Sequence, residues 1–250
     1  MMRRTKRRRK HVNILPSLLT IGNMYCGLLS IVYTINGEFS RSAWMILLAL
    51  LFDVSDGSIA RLTKSTSSFG KELDSLADVV TFGVSPAVLV YRSILYNFQH
   101  IGIFLVTVYA ITGALRLARY NIQSEGVVKS FTGLPIPGAG CLIASFVLMK
   151  LKYDHGFIYN YLALLIVVLA FLMVSTITYP KRELFLVRRT RVFQYIFVVV
   201  LLLGLITLRP TLFLFASFFA YVAAGPLNYL VRSRLYESLP QQQEQEEVPT

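Results

Sequence analysis

Apolar runs, each roughly 20 residues long and so able to cross a bilayer core as a helix, alternate with short polar bunches along the chain. The pattern predicts eight such spans, at Ile14–Ile35, Ser42–Leu62, Leu73–Tyr96, Ile101–Tyr120, Leu134–Leu151, Phe157–Tyr179, Val192–Leu208 and Thr211–Val231. The third and fifth are the weakest. The third carries two aspartates, and the fifth opens with Pro135 and Pro137. The expected fold class is all-α, a polytopic transmembrane helical bundle. The first run follows the basic stretch MMRRTKRRRKH, the way a signal peptide also begins. It lacks a small-x-small cleavage site, so it reads as a retained first span.

Composition narrows the class further. Apolar residues make up 55% of the chain, mean hydropathy is +0.58 and only 15% of residues are charged, a balance too apolar for an ordinary soluble domain. The net charge of +12 does not point to nucleic acid, because the basic residues sit between apolar runs, where a membrane surface is the natural partner. Of the 25 Lys and Arg residues, 20 fall on the side of the N-terminal tail, and five (Arg41, Arg92, Lys150, Lys152 and Arg209) fall on the other. By the positive-inside rule both termini are then cytoplasmic. The basic tail, residues 1–12, is expected to dock on anionic membrane lipids. The acidic, glutamine-rich segment after residue 235 is expected to stay unstructured. Cys26 and Cys141 both fall in apolar runs, which suits small packing residues better than a disulfide. His11, His100 and His155 are scattered and suggest no ligand set.

Four of the five aspartates, Asp53, Asp56, Asp74 and Asp78, lie within 26 residues of one another at the ends of apolar runs. A carboxylate at the centre of a span costs roughly 2.5–3.5 kcal/mol on insertion scales, and four close together repel one another. A divalent cation would offset both terms. Asp53, Asp56, Gly57 and Ala60 follow helical spacing on one face, and Asp74 and Asp78 share a face one turn apart. Two antiparallel helices joined by the polar segment KSTSSFG would bring the pairs together. Oxygen donors without histidine or cysteine favour Mg²⁺ or Mn²⁺. Gly57 and Ala60 leave room on that face for a substrate or for another helix.

The segment Asp53–Asp78 reads DVSDGSIARLTKSTSSFGKELDSLAD. It resembles the signature of the CDP-alcohol phosphatidyltransferases, D-x₂-D-G-x₂-A-R-x₈-G-x₃-D-x₃-D, at all eight fixed positions: Asp53, Asp56, Gly57, Ala60, Arg61, Gly70, Asp74 and Asp78. LPSLLTIGNMYCG, LRLARYN, FTGLPIPGAG and VSTITYPK are similar to segments of the branch that uses serine, and the likeness spans roughly residues 12–182. The resemblance implies transfer of a phosphatidyl group from CDP-diacylglycerol to L-serine, with release of CMP. It implies Asp53, Asp56 and Asp74 as metal ligands, Asp78 as general base and further ligand, and two metal ions. Gly57, Ala60, Arg61 and Gly70 would line the nucleotide, with Thr20 and Asn23 of the first span beside them. Arg116, Arg119 and Asn121 would hold the acceptor or a phosphate, since arginine suits both through paired hydrogen bonds. A homodimer in the inner membrane, with its active site facing the cytoplasm, is implied as well. The transferase domain would then occupy residues 13–182, with two additional helices in 183–235.

Two other readings compete. The same class could use glycerol 3-phosphate, inositol or inositol phosphate as acceptor. A divalent-cation transporter also places acids in a membrane, but it gives no reason for Gly57, Ala60, Arg61 and Gly70 at fixed offsets.

Overall fold

The computed structural model describes residues 14–62, 67–124, 133–153, 159–177 and 209–237. Among the described residues there is no strand. The helices are α1 (Ile14–Ile35), α2 (Phe39–Leu62), α3 (Ser68–Asp78), α4 (Ser85–Ser93), α5 (Gln99–Ser124), α6 (Ile136–Tyr153), α7 (Tyr159–Val174) and α8 (Pro210–Glu237). A π-helical segment, Val79–Val84, joins α3 to α4 without a break, so Ser68–Ser93 is one rod. Among the described residues, six helical stretches are long and apolar enough to cross a membrane: α1, α2, the α3–α4 rod, the stretch containing α5, α6 and α8. The chain is an integral-membrane type by that criterion.

The boundaries differ from the sequence expectation in instructive places. The third span begins at Ser68, because Ser67 caps the helix by accepting a hydrogen bond from the Gly70 amide at 2.9 Å. Gly70 is therefore in the first turn of α3 rather than at the end of a polar turn. The sixth expected span is a 16-residue helix, shorter than the Phe157–Tyr179 run. The last span continues past Val231 to Glu237. The expected seventh span, Val192–Leu208, the basic tail and the segment from residue 238 onward lie outside the described residues.

α1 lies against α2, α3, the π segment and α4, and α6 closes the other side of the α3–α4 rod and of α2. Polar side chains join α1 to α2 away from the aspartates, where Ser42 Oγ lies 2.8 Å from Ser30 Oγ and 2.7 Å from Thr34 Oγ1. The π segment has a local cause. Pro86 has no amide hydrogen, so it cannot donate to the Phe82 carbonyl four residues back. The buried Tyr109 hydroxyl of α5 donates to that carbonyl instead, at 2.8 Å. Ser85 Oγ lies 2.7 Å from the Gly27 carbonyl and 3.0 Å from the Val80 carbonyl, so its single proton serves one of them at a time. Every freed carbonyl needs such a donor in a bilayer, where water is absent. Replacing Tyr109 with phenylalanine is expected to cost about 1–3 kcal/mol, the penalty of an orphaned buried carbonyl, read as a lower unfolding midpoint in detergent.

Glycine makes the approach of α1 possible. A Cβ on Gly27 would lie 2.8 Å from the Thr81 Cα, which is backbone and cannot swing away. Gly140 of α6 stands in the same relation to Phe82 from the opposite side. The π segment is thus gripped between two small residues on neighbouring helices, directly after Asp78.

Candidate active site

The four aspartates meet at one end of the bundle. Asp53 and Asp56 project from the last part of α2, and Asp74 and Asp78 from α3. One carboxylate oxygen each from Asp53, Asp56 and Asp74 lies within 4.8 Å of the others. Asp78 is buried next to them, within electrostatic reach of all three. Asp74 Oδ1 is buried and has no hydrogen-bond partner among the described residues. A bare carboxylate oxygen out of water is costly unless a cation or donor meets it. Three hard oxygen ligands with an orphaned oxygen among them fit a divalent metal ion, and the donor set can hold one.

α1 orients two of these acids. Thr20 and Asn23 lie one turn apart, both buried. The Thr20 hydroxyl is 2.9 Å from Asp56 Oδ2 and 3.1 Å from the Pro16 carbonyl, so its single proton serves one of them at a time. Asn23 Nδ2 donates to Asp78 Oδ1 at 3.2 Å. The Asn23 main-chain carbonyl accepts from Thr81 Oγ1 at 3.1 Å, which locks the same turn to the π segment. Partners that orient metal-binding carboxylates are typically worth roughly 10–100-fold in metal affinity or activity. Thr20→Val is therefore expected to raise the cation concentration needed for half-maximal activity by about tenfold, measured by titrating the metal at fixed substrate.

The basic residues of α5 divide. The Arg119 guanidinium donates to the Val174 and Ser175 carbonyls, at 3.0 and 3.1 Å, and so caps the C-terminal end of α7. Beside it the chain passes through Gly133 at φ +85°, and the Gly133 and Leu134 amides bond the Ile177 and Leu172 carbonyls at 2.9 and 3.0 Å. A Cβ on Gly133 would meet the Arg119 guanidinium at 3.3 Å. Arg116 turns toward the acids. It lies over the Tyr120 ring, 5.6 Å from its centroid, and within electrostatic reach of Asp78 and Tyr221. Its Nε is buried without a hydrogen-bond partner among the described residues. Asn121 ties α5 to α3: its Nδ2 donates to Ser75 Oγ at 2.9 Å, and its carbonyl accepts from Lys71 Nζ at 3.3 Å. Gly57 is half-buried on the helix face carrying Asp53 and Asp56. Ala60 and Arg61 are in α2, but their side chains lie outside the described residues.

The family model described as CDP-alcohol phosphatidyltransferase matches residues 13–174 of the chain. The chain belongs to the CDP-alcohol phosphatidyltransferase family. That region contains all four aspartates, α1 to α7 and the π segment. Within the family, the chain is 37% identical over 221 residues to the CDP-diacylglycerol–serine O-phosphatidyltransferase of Helicobacter pylori, covering 87% of this chain and 91% of the relative. It is 42% identical over 171 residues to the archaetidylserine synthase of Methanothermobacter thermautotrophicus, covering 67% and 70% of the two chains. It is 39% identical over 172 residues to the CDP-diacylglycerol–serine O-phosphatidyltransferase of Bacillus subtilis, covering 68% and 91%.

Two features of this phosphatidyltransferase site escaped the sequence pattern. Cys141 of α6, one residue after the glycine that packs on Phe82, lies within electrostatic reach of Asp53 and Asp78. Tyr221 of α8 approaches Arg116 from beyond the family-matched region. The first was foreshadowed by the glycines of GLPIPGAG. For the second the sequence carried no signal.

Proposed function

We propose that the chain transfers the phosphatidyl group of CDP-diacylglycerol to L-serine, giving phosphatidylserine and CMP. The observation that carries this reading is the cluster of three carboxylates with Asp78 in electrostatic reach, at the end of the bundle where, among the described residues, Asp74 Oδ1 and Arg116 Nε have no hydrogen-bond partner. The names of the relatives support the acceptor: they differ in the lipid part but share serine.

Asp53, Asp56 and Asp74 would hold the divalent ions, Mg²⁺ or Mn²⁺ and two in number, with Asp78 beside them. When bound, such ions neutralise the pyrophosphate of the CDP-lipid. The rest is done by the chain. Gly57, Ala60, Arg61 and Gly70 lie along the nucleotide, and Thr20 and Asn23 hold Asp56 and Asp78 in place. Arg116 receives the carboxylate of serine. Arg119 and Asn121 set the position of α5 on which Arg116 stands. Asp78 takes the proton of the serine hydroxyl as its oxygen bonds to the lipid-linked phosphorus, and the bond from that phosphorus to the oxygen of CMP breaks. Positioning and electrostatic stabilisation carry most of the catalysis in phosphoryl transfer.

The bias of Lys and Arg supports an aspartate end facing the cytoplasm in a multi-pass inner-membrane protein, and the basic tail suits anionic lipid. A homodimer belongs to the same reading. The decisive experiment is an acceptor screen in vesicles containing CDP-diacylglycerol, with CMP release and the lipid product both followed. L-Serine should give phosphatidylserine. CMP release driven only by glycerol 3-phosphate, inositol or inositol phosphate would overturn serine as acceptor.

A further inference from the structure

α8 lies outside the family-matched region, yet it packs along α6 in antiparallel register. Arg209 sits over the Tyr153 ring at 5.5 Å, Phe215 meets the Phe146 ring edge-on at 5.7 Å, and Tyr221 reaches Gly138. The three pairs run in opposite order along the two helices and carry α8 from the end remote from the aspartates to the level of the site. Gly138 is what lets the Tyr221 ring come so close there. A Cβ on it would come within 2.8 Å of the ring's Cε1 and 3.2 Å of Cδ1. The next residue, Val222, is buried in the core, which fixes the rotation of α8, while Tyr221 itself remains 37% exposed. The tyrosine is thus held by its ring and accessible at its surface, within electrostatic reach of Arg116. Arg116 itself lies over the Tyr120 ring.

We propose that Tyr221 completes the acceptor site, its hydroxyl donating to the same anionic group of the acceptor that Arg116 binds. This rests on the transferase reading given above. A guanidinium and a phenol converging on one carboxylate select for acceptors bearing that charge. Because the hydroxyl meets the anionic group of the acceptor and not the reacting oxygen, it contributes to acceptor affinity rather than to the chemical step.

The test uses the full chain in vesicles, with initial rates of CMP release measured against L-serine, against L-serine methyl ester, which keeps the amine and hydroxyl but lacks the carboxylate, and against CDP-diacylglycerol. Tyr221→Phe keeps the ring on Gly138 and removes only the hydroxyl. It should raise KM for L-serine about tenfold, the loss of one hydrogen bond to a charged group, while kcat and KM for CDP-diacylglycerol stay within about twofold. KM for the methyl ester should not move. Gly138→Ala, which displaces the ring, should shift the serine KM in the same direction. An unchanged serine KM in Tyr221→Phe, or equal shifts for serine and its ester, would overturn the role of Tyr221 while leaving the serine reading intact. A wild-type chain that uses only another acceptor sinks the serine reading, and KM for that acceptor in Tyr221→Phe then decides whether Tyr221 binds it.

Discussion

Asp78→Asn should reduce serine-dependent CMP release by about 10²–10⁴-fold, the range a positioned general base contributes, while the protein still inserts and stays folded. The substitution is nearly isosteric, and Asn23 can still donate to the remaining side-chain oxygen, so the contact with α1 survives. What disappears is the ability to accept the proton of the acceptor hydroxyl. That loss corresponds to about 3–5 kcal/mol of transition-state stabilisation. It should fall on kcat, with KM for CDP-diacylglycerol little changed, because Asp78 is not one of the three acids whose oxygens cluster within 4.8 Å. An Asp78→Asn protein with more than a tenth of the wild-type kcat would remove Asp78 from the proton-transfer step. The control is Asn23→Ala, which keeps the carboxylate and loses its orientation. It should show a smaller fall, on the order of tenfold, since it loses one hydrogen bond rather than the base.

The location of these acids was legible in the sequence because charge in an apolar run is expensive. Asp53 and Asp56 at helical spacing, then Asp74 and Asp78 one turn apart, already implied two faces turned toward each other. α1 could be read to the residue because an unbroken apolar run has no competing pattern. The junction after Asp78 could not be read. Whether Pro86 kinks a helix, ends it or widens it into a π turn depends on which donor meets the Phe82 carbonyl, and that donor, Tyr109, is 27 residues away. Arg119 is a similar case. Position alone left it equal to Arg116 as an anion ligand, and only the fold shows that its guanidinium serves the end of α7. Thr20 and Asn23 stood out as polar residues within a span, but their carboxylate partners lie 36 and 55 residues on. Local spacing fixes which face a residue occupies. It does not say what stands opposite.

Removing divalent cations should have an effect as large as losing the base. Chelation is expected to take CMP release to background, and either Mg²⁺ or Mn²⁺ should restore it, because a site built from carboxylate oxygens alone does not discriminate strongly by donor type. The more searching version uses Asp74→Asn. Asp74 Oδ1 is the acid oxygen buried without a partner among the described residues, so it is the one with most to gain from a cation. Neutralising it weakens attraction for the ion and relieves repulsion from Asp53 and Asp56, which lie within electrostatic reach. The two consequences separate the cation-binding role from a merely structural one. Asp74→Asn should need at least about tenfold more metal for half-maximal rate, a cost of roughly 1.4 kcal/mol in binding. At the same time its unfolding midpoint in metal-free detergent should rise, because a buried unpaired charge has been removed. In the wild-type chain, added metal should raise the midpoint, and in Asp74→Asn that rise should shrink. A wild-type midpoint that ignores Mg²⁺ and Mn²⁺, with an Asp74→Asn protein less stable than wild type in chelator, would mean that the three acids are held by the protein itself and not by a cation.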